Sequence, residues 1–169
     1  MNRIIFLTAI VLLVVIDLSY SQEKVIVDST HARIKFDPLS DPAVELRKAI
    51  AEAQKSRKNI LLDVGGEWCI WCHRLDEFFY ENKDLNKFLH NNFVEVKVNY
   101  SPQNKNEKFL SKYPKVAGYP HLFILDKDGR FLHSQDTGKL EEGKGYNHDK
   151  VLSFLKEWAP SKKHFNRVD

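Results

Sequence analysis

The chain of 169 residues is 43% hydrophobic and 29% charged, and its formal net charge is +3. This length and composition are typical of one folded domain with a hydrophobic core, and they exclude a disordered chain. Lysine and arginine are interspersed with aspartate and glutamate and form no basic run, so we expect no nucleic-acid partner.

The N-terminus has the pattern of a secretory signal peptide at residues 1–21. A short positive start precedes an apolar run of 13 residues at 4–16, interrupted only by Thr8. The small residues Ser19 and Ser21 are typical of a cleavage site before Gln22. An uncleaved membrane anchor is the alternative, although a span needs roughly 17–25 residues. We therefore predict an exported protein, which is periplasmic if the source is Gram-negative and otherwise secreted or tethered by the uncleaved segment.

A predicted extension and a main domain follow the signal peptide. Residues 32–36 alternate between apolar and polar and predict an edge strand. Ser40 or Asp41 can cap a helix that has Pro42 at its first position and runs to about residue 54. The predicted boundaries are 1–21 for the signal peptide, 22–40 for the extension, 41–160 for the main domain and 161–169 for a C-terminal tail.

The rest of the chain alternates between strand and helix patterns. Strands are predicted at residues 60–64, 93–98, 121–125 and 130–133. Four further helices are predicted. The first begins near Cys69, the second covers residues 85–89, a short third ends at Tyr113, and the last follows a cap at Asn147 or Asp149. Residues 135–146 are polar, contain three glycines and predict a loop. This order indicates an α/β fold with a mixed, five-stranded sheet and helices on both faces.

The strongest chemical signal is the pair Cys69 and Cys72, the two cysteines of the chain. A thiol at a helix start faces unpaired backbone N–H groups and the positive end of the helix dipole, and both favour the thiolate. Cys72 follows one turn later, close enough to form a disulfide. Cys69 can therefore attack a partner's disulfide and Cys72 can resolve the mixed intermediate. We expect both sulfurs at the exposed tip of a helix.

Three other roles use cysteine pairs of this spacing. A structural disulfide is a poor explanation, because so short a loop constrains the unfolded chain weakly. Zinc normally needs four nitrogen or sulfur ligands, and only His73 lies beside the pair, so we predict no metal. Cys69, Cys72 and His73 also match the c-type haem attachment pattern. The mature chain would lack a methionine axial ligand, because Met1 is the only methionine, and Soret absorbance would decide the question.

Further features surround the pair. They are Asp63, six residues before Cys69; Trp68, directly before it; Lys97 in a later strand; and the pattern Lys112-Tyr113…Gly118-Tyr119-Pro120. Together with the two cysteines they resemble the thioredoxin superfamily, especially its exported thiol:disulfide oxidoreductases, over about residues 43–158. The chain departs from thioredoxin itself between the cysteines, where Ile70-Trp71 replaces Gly-Pro.

The resemblance implies a thioredoxin-like fold and disulfide exchange with exported proteins that carry disulfides or thiols. It implies no cofactor, since the cysteine pair carries the two electrons. We prefer a reductase, fed by a membrane electron donor, over an oxidase or isomerase, although the intervening Ile70-Trp71 leaves the reduction potential open. A peptide-binding module of the same fold, without turnover, is a further alternative.

The resemblance also implies roles for individual residues. The Tyr119–Pro120 bond is expected to be cis and to position a client strand, with Trp68 and Trp71 flanking the groove. Asp63 is expected to relay a proton to or from Cys72 and so to be catalytic together with the cysteines. Lys97 is expected to tune Asp63, and a protonated His73 is expected to stabilise the Cys69 thiolate.

Overall fold

The computed structural model describes residues 33–161. The predicted signal peptide, most of the extension and nearly all of the C-terminal tail lie outside these residues. The helices are α1 (Pro42–Ser56), α2 (Ile70–Glu81), α3 (Lys83–Asn92), α4 (Glu107–Leu110) and α5 (His148–Trp158). The strands are β1 (Asn59–Gly65), β2 (Phe93–Asn99), β3 (His121–Leu125), β4 (Phe131–Asp136), β5 (Glu141–Glu142) and β6 (Gly145–Tyr146).

The main sheet has four strands in the order β2-β1-β3-β4. Strand β1 is parallel to β2 and antiparallel to β3, and β3 is antiparallel to β4. The prediction of a mixed sheet is confirmed, but the prediction of five strands is wrong for the described residues. The register places Asp63 of β1 directly between Lys97 of β2 and Leu122 of β3.

The predicted edge strand at residues 32–36 is also wrong over residues 33–36, which belong to no strand. The backbone N–H of Phe36 donates to the Glu67 carboxylate at 2.8 Å and therefore does not pair with a neighbouring strand. Its ring is buried, at 1% exposure. The alternating pattern thus reflects one buried aromatic side chain rather than a sheet edge.

Helices cover both faces of the main sheet, as predicted. Alternate residues of β1 point to opposite sides. Ile60, Leu62 and Val64 pack in one core cluster with Ala49 and Ala53 of α1. The other core cluster contains Leu61 together with side chains of α2, α3 and α5. No helix of residues 33–161 has the length and apolarity needed to cross a membrane.

Local signals fix the helix ends. The Asp41 carboxylate accepts a hydrogen bond from the Ala43 N–H, so Asp41 rather than Ser40 caps α1. That helix ends two residues later than predicted, where Arg57 adopts a left-handed conformation with φ of 59°. The cap of α5 is Asn147 and not Asp149, because the Asn147 side chain accepts a hydrogen bond from the Lys150 N–H.

The prediction of a loop at residues 135–146 is wrong. Strand β4 extends to Asp136, a 3-10 helix covers Thr137–Leu140, and β5 pairs with β6 across a turn at Gly143. The segment has four buried side chains, those of Gln135, Thr137, Leu140 and Tyr146. These buried positions are separated by polar residues at no regular spacing, so no period in the sequence indicates them.

Leu62→Ala tests the position of the core. Leu62 is 0% exposed, and its truncation should lower the free energy of unfolding by roughly 2–5 kcal/mol because it leaves a cavity in the sheet. The control is Leu39→Ala, since Leu39 is 92% exposed and should lose about 0.5 kcal/mol or less. Urea denaturation of the oxidised chains measures both, and equal losses would contradict this arrangement.

Candidate functional site

The two cysteines form a disulfide at the start of α2, with their Cα atoms 5.2 Å apart. Cys69 is the N-cap of that helix, and its sulfur accepts a hydrogen bond from the Cys72 N–H at 3.1 Å. The Cys69 carbonyl accepts another from the His73 N–H at 3.2 Å. A thiolate at Cys69 would therefore face the N–H groups and the positive dipole end of α2.

The cysteine pair is more buried than predicted. Cys69 is 4% exposed and Cys72 is 0% exposed, which corrects the expectation of an exposed tip. Three aromatic side chains pack around the pair, those of Phe36, Trp71 and Tyr119. The neighbours of Cys69 are exposed instead, since Trp68 has 55% and Ile70 has 60% of its surface accessible. These two side chains form an apolar rim beside the sulfur.

The Tyr119–Pro120 peptide bond is cis, as the resemblance implied. Tyr119 packs against the cysteine pair, stacks on Tyr100 at a centroid distance of 4.7 Å and meets the edge of Trp68 at 5.7 Å. The Trp68 indole N–H donates to the Tyr100 carbonyl at 2.7 Å. Trp68, Tyr100 and Tyr119 thus form one aromatic wall, in which Tyr100 was not predicted.

Two glycines make room for this packing. A Cβ atom at Gly65 would lie 2.5 Å from the Cys72 sulfur, and one at Gly66 would lie 2.5 Å from Nε1 of Trp68. The absence of a side chain at Gly65 and Gly66 therefore lets the disulfide and the indole approach the backbone closely.

Asp63 lies in the sheet on the same face as Leu61, and it is 1% exposed. Its Oδ2 accepts a hydrogen bond from Lys97 Nζ at 2.6 Å, as the resemblance implied, and its Oδ1 has no hydrogen-bond partner among the described residues. Burial raises the pKa of Asp63 to about 6, and the Lys97 charge opposes that rise. This carboxyl can therefore gain or lose a proton close to neutral pH.

Lys97 is the centre of a larger charge network. Its Nζ also donates to Asp76 Oδ1 at 2.6 Å and lies 3.2 Å from Glu95 Oε1. Burial lowers the pKa of Lys97, but Asp63, Glu95 and Asp76 raise it above its ordinary value, so the ammonium stays charged. Sequence reasoning missed Asp76, although it stands four residues after Cys72 and therefore on the same side of α2.

The segment 33–36 closes this network from the side of the extension. Arg33 donates to Asp76 Oδ2 at 3.0 Å and forms an ion pair with Glu67. The Phe36 ring packs with the cysteine pair, and its centroid lies 4.9 Å from Lys97 Nζ. None of these contacts was predicted, because each joins the segment to residues 31 or more positions away.

His73 and Trp71, which the sequence analysis assigned to the site, both make contacts with nearby residues. Nε2 of His73 lies 2.8 Å from the Glu67 carbonyl oxygen and so carries a proton. The Trp71 ring lies between the edge of Tyr146, at 5.8 Å, and the Arg74 guanidinium, at 4.5 Å. The two sulfurs are bonded to each other, so neither is a free thiol in this structure. Residues 33–161 also contain no group of three or more His, Cys, Asp or Glu arranged to hold a metal ion.

Comparisons with known proteins point to the same fold. A family model described as "Thioredoxin-like" matches residues 41–127. The "Disulfide bond reductase DsbH" of Chlamydia pneumoniae is 29% identical over 94 residues, which cover 50% of this chain and 56% of that protein. Human "Spermatogenesis-associated protein 20" is 38% identical over 78 residues, which cover 44% of this chain and 10% of that protein. The chain thus spans about half of the first relative and a tenth of the second.

A crystal structure described as a disulphide isomerase from Xylella fastidiosa Temecula1 superposes with a TM-score of 0.63. The superposition covers 74% of this chain and 96% of that chain, at 21% sequence identity. At this identity the likeness concerns the fold alone.

Asp63→Asn should change how stability depends on pH. A carboxyl whose pKa is raised from 3.8 to about 6 holds its proton more tightly in the folded chain, so its ionisation destabilises the fold as pH rises through this range. An amide does not titrate and removes this loss, which corresponds to ~3 kcal/mol. Urea denaturation should therefore show that the free energy of unfolding of the variant rises relative to that of the wild type as the pH increases from about 4 to about 7. Parallel stability curves would contradict the raised pKa.

Proposed function

The chain belongs to the thioredoxin-like family, and from that premise we propose that it is a thiol–disulfide oxidoreductase that exchanges disulfides with exported proteins. The observation that carries the proposal is the Cys69–Cys72 disulfide at the start of α2, packed against Tyr119 of the cis-proline loop. The chain contains no other cysteine, so any disulfide exchange must pass through this pair.

In the proposed reaction the reduced pair transfers two electrons to a client. The Cys69 thiolate attacks one sulfur of the client disulfide, the client S–S bond breaks, and the other client sulfur leaves as a thiolate and takes up a proton. The Cys72 thiolate then attacks the Cys69 sulfur. This second step breaks the mixed disulfide, releases the remaining client sulfur and forms the Cys69–Cys72 bond.

The second step needs a base, because Cys72 must lose a proton before it attacks. We assign this role to Asp63, whose Oδ1 has no hydrogen-bond partner among residues 33–161 and whose pKa is raised to about 6 by burial. Lys97 holds the opposite oxygen and so orients the carboxyl. Above about pH 6 the carboxylate is ionised and can accept the proton.

The client is proposed to lie along the cis-proline loop, with its backbone beside Tyr119 and Pro120. The exposed Trp68 of the apolar rim supports an apolar contact with the client next to the attacked sulfur. Trp71 borders the same turn, although Tyr146 and Arg74 hold its ring. A protonated His73 would add positive charge near Cys69 and favour the thiolate.

The cellular setting is part of the proposal. Residues 1–21 would be removed on export, and the domain at residues 41–160 would act outside the cytoplasm between the extension at 22–40 and the tail at 161–169. We propose a reductase that receives electrons from a membrane donor. A reduction potential of about −270 mV for the Cys69–Cys72 pair would support a reductant, whereas one of about −120 mV would make the protein an oxidant.

Cysteine variants test the chemistry. The wild type should reduce insulin in the presence of dithiothreitol, Cys72→Ser should accumulate a mixed disulfide with the client, and Cys69→Ser should form neither product nor adduct. Turbidity records turnover, and mass spectrometry under non-reducing conditions records the adduct. Peptide binding without turnover would identify a binding module instead, and Soret absorbance of the purified protein would identify a haem protein.

Asp63→Asn tests the proton transfer. The variant should form the mixed disulfide at the wild-type rate but resolve it at least about tenfold more slowly at pH 7, because it lacks the base. Single-turnover quench experiments across pH separate the two steps. Identical resolution rates for the variant and the wild type at every pH would remove Asp63 from the mechanism.

A further inference from the structure

Two hydroxyl groups of the segment 137–146 reach the backbone of the candidate site. The Thr137 hydroxyl donates to the carbonyl of Pro120 at 2.6 Å. The Tyr146 hydroxyl donates to the carbonyl of Trp71, the residue before Cys72, at 3.2 Å. One short segment therefore contacts both the cis-proline loop and the turn that carries the cysteines.

The two hydroxyls are buried and neighbour each other. Thr137 is 2% and Tyr146 is 7% exposed. Burial also raises the pKa of Tyr146, so the phenol keeps the proton that it donates. Because a buried hydroxyl that loses its partner is costly, each bond holds its carbonyl firmly in place.

The segment itself is anchored. Strands β5 and β6 pair with each other, and the N–H of Asn147 donates to the Leu140 carbonyl at 2.9 Å. Asn147 is also the cap of α5, so the segment ends on a packed helix. The Tyr146 ring meets Trp71 and Phe78 at centroid distances of 5.8 Å. A segment anchored in this way can hold the cis-proline loop and the cysteine turn at a fixed distance from each other.

We propose that Thr137 and Tyr146 are positioning residues, a hydroxyl bridge that fixes the cis-proline loop relative to the cysteine turn and so favours protein clients over small disulfides. The inference rests on the proposed function and deepens it. A protein client must meet the Cys69 sulfur and the backbone beside Pro120 at the same time, so the spacing of these elements governs its reaction. A small disulfide needs the sulfur alone.

Near-isosteric variants that remove one hydroxyl test the bridge. Thr137→Val and Tyr146→Phe should each lower kcat/KM for insulin about fivefold, the effect of one hydrogen bond, and change kcat/KM for hydroxyethyl disulfide less than about twofold. The double variant should lose no more than the worse single variant, because both hydroxyls hold the same segment. Thr137→Ser keeps a hydroxyl and should retain the wild-type ratio of the two substrates.

The matched control is Tyr113→Phe, which removes a half-buried phenol hydroxyl from the core cluster on the opposite face of the sheet and should leave the ratio unchanged. Equal losses on both substrates would mean that the hydroxyls are merely structural and would overturn the proposal. Unchanged insulin kinetics or additive losses in the double variant would overturn it as well.

A second readout separates this inference from the proposed function. Amide hydrogen exchange of the oxidised chain requires no turnover, and each single variant should accelerate exchange both at residues 70–73 and at residues 119–122. Faster exchange at only one of the two segments, or at neither, would overturn the bridge. If the wild type reduced neither substrate, the proposed function would fail, while the exchange pattern would still decide whether the bridge exists.

Discussion

The buried ammonium of Lys97 is the constraint on which the rest of the site depends. Its side chain is 5% exposed, and a charge in that position is tolerated only when carboxylates replace the lost water. Asp63, Asp76 and Glu95 supply them from β1, α2 and β2. One cation thereby ties two neighbouring strands to the helix that carries the cysteines. Burial raises the pKa of Asp63 to about 6, because it outweighs the Lys97 ammonium, which lowers that pKa; Glu95 and Asp76 act in the same direction as burial.

The segment 33–36 packs over the charge network of Lys97 and over the cysteine pair. Arg33 bonds the second oxygen of Asp76 and so adds a positive charge at the edge of the network. Phe36 places an aromatic face 4.9 Å from the ammonium and shares a cluster with both cysteines. This packing contributes to the low exposure of Cys72 and Asp63. The low exposure in turn raises the pKa of the Asp63 carboxyl. The segment 33–36 is therefore part of the electrostatics of the site as well as a lid on it.

Much of this arrangement could be predicted from sequence, and the limits have physical reasons. Apolar runs predict β1 and β3, and Asp41 and Pro42 predict the start of α1. Asp63, Lys97 and the cis-proline came from the resemblance to a family. Phe36 and Thr137 could not be found, because their partners, Glu67 and Pro120, lie 31 and 17 residues away and no local pattern encodes such contacts.

Two kinds of interaction hold the two halves of the site. Asp63, whose pKa is raised to about 6, lies in the charge network around Lys97, whereas hydroxyl bonds and aromatic packing hold the cis-proline loop. The Tyr146 phenol is neutral around pH 7, and burial raises its pKa further above that range. The position of the loop is therefore insulated from the pH range in which Asp63 titrates. In the proposed function, proton transfer from Cys72 and alignment of a client can therefore vary separately, because different residues and different forces control them.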